Sequence, residues 1–471
     1  MKLRWLALCA LVFWSAGCSA PRTASSVLGA AQQAMGNPTS LQYSGTGMNA
    51  FVGQALTAGE AWPRRDMSGY VRTLDYGKRA SREELTFAME TFGGRQQTQV
   101  VVGDVAWNVG PNGPVPQPAQ AEERQLLIWV TPHGFIKGAQ AAGNATLGGS
   151  ETAPEITFTA LGKYTVTGTL DANNLVTRVA TKVASPVEGD MDLVATYADY
   201  KDYGGVKVPG KIDIQQGGHP AWELAITSAT PNAPVDLPVP EAASSATVPP
   251  VQVTSTQLAP GVWHLAGGSH HSVVVEFADS FAVVEAPLTE ARSQAVLAEA
   301  RKLVPNKPLS HVVTTHHHFD HTGGLRTYAA EGATIVTHAS NVPYFQKMLV
   351  APATISPDAQ SKAQKAPTFQ AVSDAFEFGD AKQKVQVLAT TGDSHTSEYT
   401  LVYLPGPKIL VEGDAYSPGP VDAPPPATPN PNSVKLYEDI EKLKLNVATI
   451  APIHGRGPVP IAEMRKFIGR N

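Results

Sequence analysis

The chain has 471 residues, too long for one ordinary domain and suited to two or three. Hydrophobic residues make up 42% and charged residues 16%, so sizeable cores can be buried, while 41 glycines and 38 prolines demand many turns and loops. The net charge of −5 comes with no basic stripe and no aromatic-interleaved basic patch, which argues against nucleic acid as the partner.

The chain begins with Lys2 and Arg4 ahead of an apolar run from Trp5 to Trp14. That run is too short to span a bilayer but has the length of a signal-peptide core. It ends in Ser15-Ala16-Gly17-Cys18, which resembles the lipobox of bacterial lipoproteins, with Ser15 where a leucine is usual. The resemblance implies a signal peptide over residues 1–18 and a lipidated Cys18 that anchors the chain in a membrane. With Ser19 rather than an aspartate behind it, the address is the periplasmic face of the outer membrane. The alternative is a plain secretory signal and a soluble periplasmic or secreted protein. Cys9 and Cys18 are the only cysteines, so the exported chain has no internal disulfide, thiolate metal site or cysteine nucleophile. Any metal must rest on histidines and carboxylates.

Residues 19–26 are small and polar, a tether, and a short helix is expected over Val27–Met35. A long β-rich stretch follows. Leu85–Phe92 and Thr98–Val109 are β-branched and aromatic runs on either side of a glycine-rich break. Lys163–Leu170 and Leu175–Val183 alternate around Asp171-Ala172-Asn173-Asn174, a hairpin signal. Met191–Tyr200 and Val206–Ile214 do the same around Gly204-Gly205, and Trp222–Thr227 adds a strand. The segment from Tyr197 to Pro209 looks like the curved half-barrel strands of periplasmic lipoprotein-carrier domains. No cluster in this half carries chemistry; His133 and His219 stand alone in turn contexts and read as solvated loop residues. Ala229–Pro260 is rich in Pro, Ala, Ser and Val without periodicity, a linker set at 231–250 with Pro249-Pro250 at its end.

From Val251 strands and helices alternate. Ser272–Phe277, Phe281–Val284, His311–Thr315, Thr334–Thr337, Val385–Leu388, Tyr399–Leu404, Ile409–Val411 and Asn446–Ile450 read as strands. Glu290–Leu303, Val434–Leu443 and Ile461–Ile468 read as helices with one apolar face. The fold class is therefore α+β. An antiparallel β-rich domain at 19–230 precedes a domain at 251–471 with two sheets and helices outside them.

The informative segment is Thr315-His316-His317-His318-Phe319-Asp320-His321-Thr322-Gly323-Gly324. It follows a strand and precedes a helix. In extended backbone His316 and His318 share a face and Asp320 continues it, while His317 points the other way. Four metal-competent groups in six residues suit two adjacent cations, and imidazole with carboxylate suits zinc.

This His-x-His-x-Asp-His run resembles the signature of the metallo-β-lactamase superfamily, whose further ligands are matched downstream in order. They are His395 in Thr391-Gly392-Asp393-Ser394-His395-Thr396, where an Asp-Ser pair separates the Gly from the His, then Asp414 at the end of Ile409–Asp414, and His454 after Ala448–Ile453. The resemblance covers 251–471 and implies an αββα sandwich. It implies two Zn2+ per chain, one on His316, His318 and His395, the other on Asp320, His321 and His454, with Asp414 bridging. It further implies a zinc-dependent hydrolase in which a metal-bridging hydroxide cleaves an ester, lactone, thioester or amide bond of a small-molecule substrate, with Asp320 as the catalytic residue that orients the nucleophile. Members that hydrolyse β-lactams often carry Cys or Ser where Asp414 stands, so the ligand set looks glyoxalase- or lactonase-like. Glu285 stands where the family often has an Asp that steadies the histidine loop, and supports it from behind. His270 and His271 read as solvated loop residues, and Ser417–Pro431 as a pocket wall or a plain loop.

Two rivals remain open from sequence. One is an iron-dependent oxygenase on the same fold, similar to persulfide dioxygenases. The other is an envelope ligand-binding lipoprotein built on the N-terminal half.

Overall fold

Hydrophobic alternation over residues 40–231 has one outcome, a long antiparallel sheet with a buried and an open face. The computed structural model describes residues 22–91, 94–421 and 423–470, so the expected signal peptide and Cys18 lie outside the described residues. Among these, thirteen strands form the N-terminal sheet, all paired antiparallel. Its first strand, Ser40–Ala50, pairs with its last, His219–Pro231, which joins two meanders into one curved surface. One meander runs outward through Arg64–Asp75 to Gly113–Pro116, the other through Lys211–Gln216 to Thr146–Gly149.

The hairpin at Asp171–Asn174 forms as expected. Asp171 accepts from the backbone N–H of Asn173 and Leu175, and Asn174 takes a left-handed φ of 61°. Three helices, Ala24–Met35, Ala121–Val130 and Pro132–Ala142, contribute Leu28, Leu126, Ile128 and Phe135 to the sheet's core. The last two lie inside the stretch read from sequence as β-rich, between the strands named there. Pro132 opens its helix at the first turn, where a missing N–H costs nothing. His133 is consequently not a solvated loop residue: it is buried, with Nε2 3.2 Å from the Met35 carbonyl. His219 begins a strand and lies half-buried, its ring 5.4 Å from that of Trp62. The expected strand over Thr98–Val109 is a hairpin, Gln96–Val102 and Val105–Gly110, turning at Gly103-Asp104. A cavity of about 360 Å³ lies within this region, with Tyr43, Tyr70, Arg72, Tyr197 and Trp222 among its walls.

The C-terminal part is a sandwich of a seven-stranded and a six-stranded sheet. Between them lies a seam of small branched side chains, including Val273, Val284, Val313, Val387, Val402 and Val411. On the outer face of the first sheet, helix Glu290–Leu303 packs with Leu325–Glu331 and Val342–Leu349; on that of the second, Pro431–Lys442 packs with Ile461–Phe467. The four layers are α, β, β, α. Strand Phe281–Val284 runs parallel to Leu309–Val313, and Ile409–Glu412 runs parallel to Thr449–Pro452. Parallel strands end together, so the residues that follow all four are delivered to one end of the sandwich.

Candidate metal centre

Strand Leu309–Val313 ends in the histidine-rich segment, Ile409–Glu412 in Asp414, and Thr449–Pro452 in His454. His395 arrives from the turn before strand Glu398–Leu404. There the inserted Asp393 accepts from the backbone N–H of His395 and Thr396 at 2.8 and 3.2 Å, so the departure from the family spacing is itself the turn that presents His395. Gly413 is required by crowding. A Cβ there would sit 2.3 Å from the Tyr399 hydroxyl and 2.6 Å from Thr315 Oγ1. That hydroxyl accepts the Asp414 N–H, and the Tyr399 ring stacks on His316 at 5.3 Å.

The donor atoms fall into two groups, each with members within 4.8 Å of one another: His316, His318, His395 and Asp414, and His270, Asp320, His321 and His454. Asp414 faces both. Its Oδ2 is 2.8 Å from His395 Nε2, while its Oδ1 is 2.7 Å from His321 Nε2 and 3.0 Å from His454 Nε2. All seven residues singled out in the sequence are thus brought together. Two buried atoms in the cluster, His316 Nε2 and His318 Nδ1, have no hydrogen-bond partner. Buried polar atoms are almost always bonded, and leaving one unmet costs about 1–3 kcal/mol. Buried lone pairs facing one shared space are what a divalent cation needs. The site is closed on one side by His316, His318 and His321, and open on the other, where Asp320, His395 and His454 are partly exposed.

Electrostatics agree with that chemistry at His316 and His318, whereas at His321 burial is outweighed by Asp414 and Glu285, which hold it well above its ordinary range. Burial, with the imidazoles of His321 and His318 nearby, pulls His316 well below its ordinary range, and burial beside His395 brings His318 down to about 3. Both rings are neutral donors at neutral pH. Burial opposes charge on Asp414 and Asp320. It is outweighed on Asp414 by His321, His395 and His454, and on Asp320 by His270 and His321, so both carboxyls stay well below the usual range.

Glu285 occupies the supporting position read from the sequence. Its Oε2 accepts from His321 Nδ1 at 2.8 Å and its Oε1 from the Thr315 N–H at 2.6 Å. This holds although Glu285 has a left-handed φ of 73°, which costs a non-glycine residue about 1–3 kcal/mol. Backbone bonds to Val313 and from Ser272 Oγ fix it there. His317 points away from the cluster as alternation requires, toward Glu398 and the Ala55 carbonyl.

His270 and His271 correct the sequence reading: both are buried, not solvated. Arg292, buried beneath their loop, donates to the carbonyls of Leu265 and His270. His271 Nε2 bonds the Gly455 carbonyl at 2.9 Å and so steadies the turn after His454. His270 Nε2 lies 3.2 Å from Asp320 Oδ2, inside the second group. Only the chemistry of a His-His pair before a strand marked it. Gln54, whose Nε2 donates to Asp320 Oδ1 at 2.7 Å, had no sequence signal at all. Of the proline-rich stretch after Asp414, Pro418 and Gly419 accept from Arg456, packing on the turn behind His454.

The model of the metallo-beta-lactamase superfamily matches residues 265–454. No curated protein matches the chain. Among solved structures, a metallo-beta-lactamase from Pontibacter korlensis is 17% identical with a TM-score of 0.36, covering 46% of this chain and 98% of its own. The DIM-1 metallo-beta-lactamase is 18% identical with a TM-score of 0.35, covering 47% and 97%. A metallo beta lactamase from Hirschia baltica is 16% identical with a TM-score of 0.34, covering 46% and 98%. The family's motif residues, gathered at one end of an αββα sandwich, lie within the stretch, residues 265–454, that matches the metallo-beta-lactamase superfamily model.

Proposed function

We propose that the chain is a zinc-dependent hydrolase acting on an ester, lactone, thioester or amide. The observation that carries this reading is the gathering of His316, His318, His395 and Asp414, with buried unbonded atoms on His316 and His318, beside a second His/Asp group. In it His316, His318 and His395 would hold one zinc and Asp320, His321 and His454 the other, with Asp414 facing both groups. Bound there, the ions would supply polarisation of a carbonyl and a water whose pKa lies near neutrality. The residues do the rest. Asp320, ionised and at the open side, orients the attacking water and accepts its proton. Glu285 holds the His321 ring so that Nε2 faces inward. The buried wall of His316 and His321 excludes bulk water from one side, and the partly exposed edge at His395 and His454 admits substrate. An aspartate at position 414 favours glyoxalase- or lactonase-type substrates over β-lactams.

Elemental mass spectrometry of the soluble chain, residues 19–471, tests this. About two zinc per chain and turnover in an ester, lactone and thioester panel are the expected results. The same nitrogen and oxygen donors accept iron, so predominant iron with oxygen-dependent turnover would replace the hydrolase by an oxygenase.

A further inference from the structure

The loop between strands Ser40–Ala50 and Arg64–Asp75 leaves its own sheet and lies on the histidine-rich segment. Its backbone does much of the work. The Gly53 carbonyl accepts from the Phe319 N–H at 3.1 Å, and the Leu56 carbonyl from the Ser397 N–H at 2.7 Å. The Ala55 carbonyl, buried between them, lies 2.9 Å from both His317 Nε2 and His318 Nε2. Gln54 Nε2 donates to Asp320 Oδ1 at 2.7 Å. This approach depends on glycine: Gly53 has φ +80°, and a Cβ there would stand 2.4 Å from the Phe319 ring. That ring meets Trp62 edge-on at 6.3 Å and packs against the N-terminal core, not the sandwich. A second contact fixes the two parts together, with Asp190 accepting from the N–H groups of Thr354 and Ile355.

These bonds have a direction. An imidazole that bonds a carbonyl through Nε2 carries its proton there and leaves the Nδ1 lone pair free. On His318, Nδ1 is the atom left buried and unbonded in the first donor group. Gln54 likewise takes one oxygen of Asp320 and leaves Oδ2, which faces His270 at 3.2 Å and His321 at 3.9 Å. We infer that the N-terminal region is a built-in part of the metal centre, with Ala55 and Gln54 as positioning residues for His318 and Asp320. The inference rests on the metal-binding reading above and goes further, because it makes metal retention depend on residues outside the matched domain.

The test uses residues 19–471 and Zn2+ alone, titrated in competition with a chromophoric chelator. Gln54→Ala and the near-isosteric Gln54→Met, which keeps packing and loses the hydrogen bond, are compared with wild type. The expected result is two zinc ions bound by wild type and a loss of about tenfold or more in the affinity of the weaker one in both variants. Melting of the metal-free proteins should not change. If wild type binds two ions and both variants bind them equally well, the inference is overturned and the metal centre stands. If wild type takes up no zinc, the metal reading fails and takes the inference with it.

Discussion

In the N-terminal region, one cluster of buried polar side chains around Arg72 closes on itself. Arg72 lies 3.8 Å from Glu83 and donates to Ser81 Oγ and the Leu127 carbonyl. Tyr70 donates to Glu83 at 2.6 Å, and Tyr197 to the Val130 carbonyl at 2.6 Å. In the C-terminal cluster, His316 and His318 instead turn unbonded atoms toward the space they share with His395 and Asp414. The first arrangement is complete as it stands and serves stability. The second is complete only with something added, and a protein tolerates that cost where the addition is its purpose.

Substitutions should therefore separate the two regions. The largest effect is expected from His318→Ala. Hydrolysis of a substrate found in the panel should fall by about 10³-fold with loss of zinc, since several kcal/mol of transition-state stabilisation go with the metal. The metal-free protein should lose no more than about 1 kcal/mol by urea denaturation. Unchanged turnover would break the comparison.

Arg72→Met should do the reverse. It leaves Glu83 enclosed without its cation and should cost about 3 kcal/mol in stability while zinc content stays at the wild-type level. A third effect is smaller and belongs to pH. Burial pushes His133 down to about 4 from 6.5, the Met35 carbonyl opposing in part. The unfolded chain thus takes up a proton that the fold refuses. Stability is full above about pH 6.5 and falls as the pH drops toward 4, by about 2 kcal/mol between pH 7 and 5. His133→Gln should remove that share of the slope in urea titrations at the two pH values; an identical slope in both proteins would mean that His133 is not the group responsible.

What could be read in the sequence was local. Helix Glu290–Leu303 has a Thr289 cap and an apolar stripe, and its bounds agree with the reading. The ligand candidates sit at strand ends, so a few adjacent residues reveal both the strand and its cargo. Helix Pro132–Ala142 was hidden because Pro132-His133-Gly134 has turn composition, and only packing against the core decides for a helix. The burial of His270 depends on Arg292, and the contacts of Ala55 with His317 and His318 span 262 and 263 residues. No periodicity encodes contacts of that separation.

Phe319 sits between two metal-ligand candidates in sequence, yet its ring is held by the hydrophobic core of the other half. Cutting the chain between the thirteen-stranded sheet and the sandwich therefore does not yield two finished pieces. The C-terminal fragment would carry a bare phenyl ring in the middle of its histidine loop. The N-terminal fragment would keep a matching apolar hollow beside Trp62. Each is the other's plug, so the unit that can be shortened, transplanted or recombined is the pair.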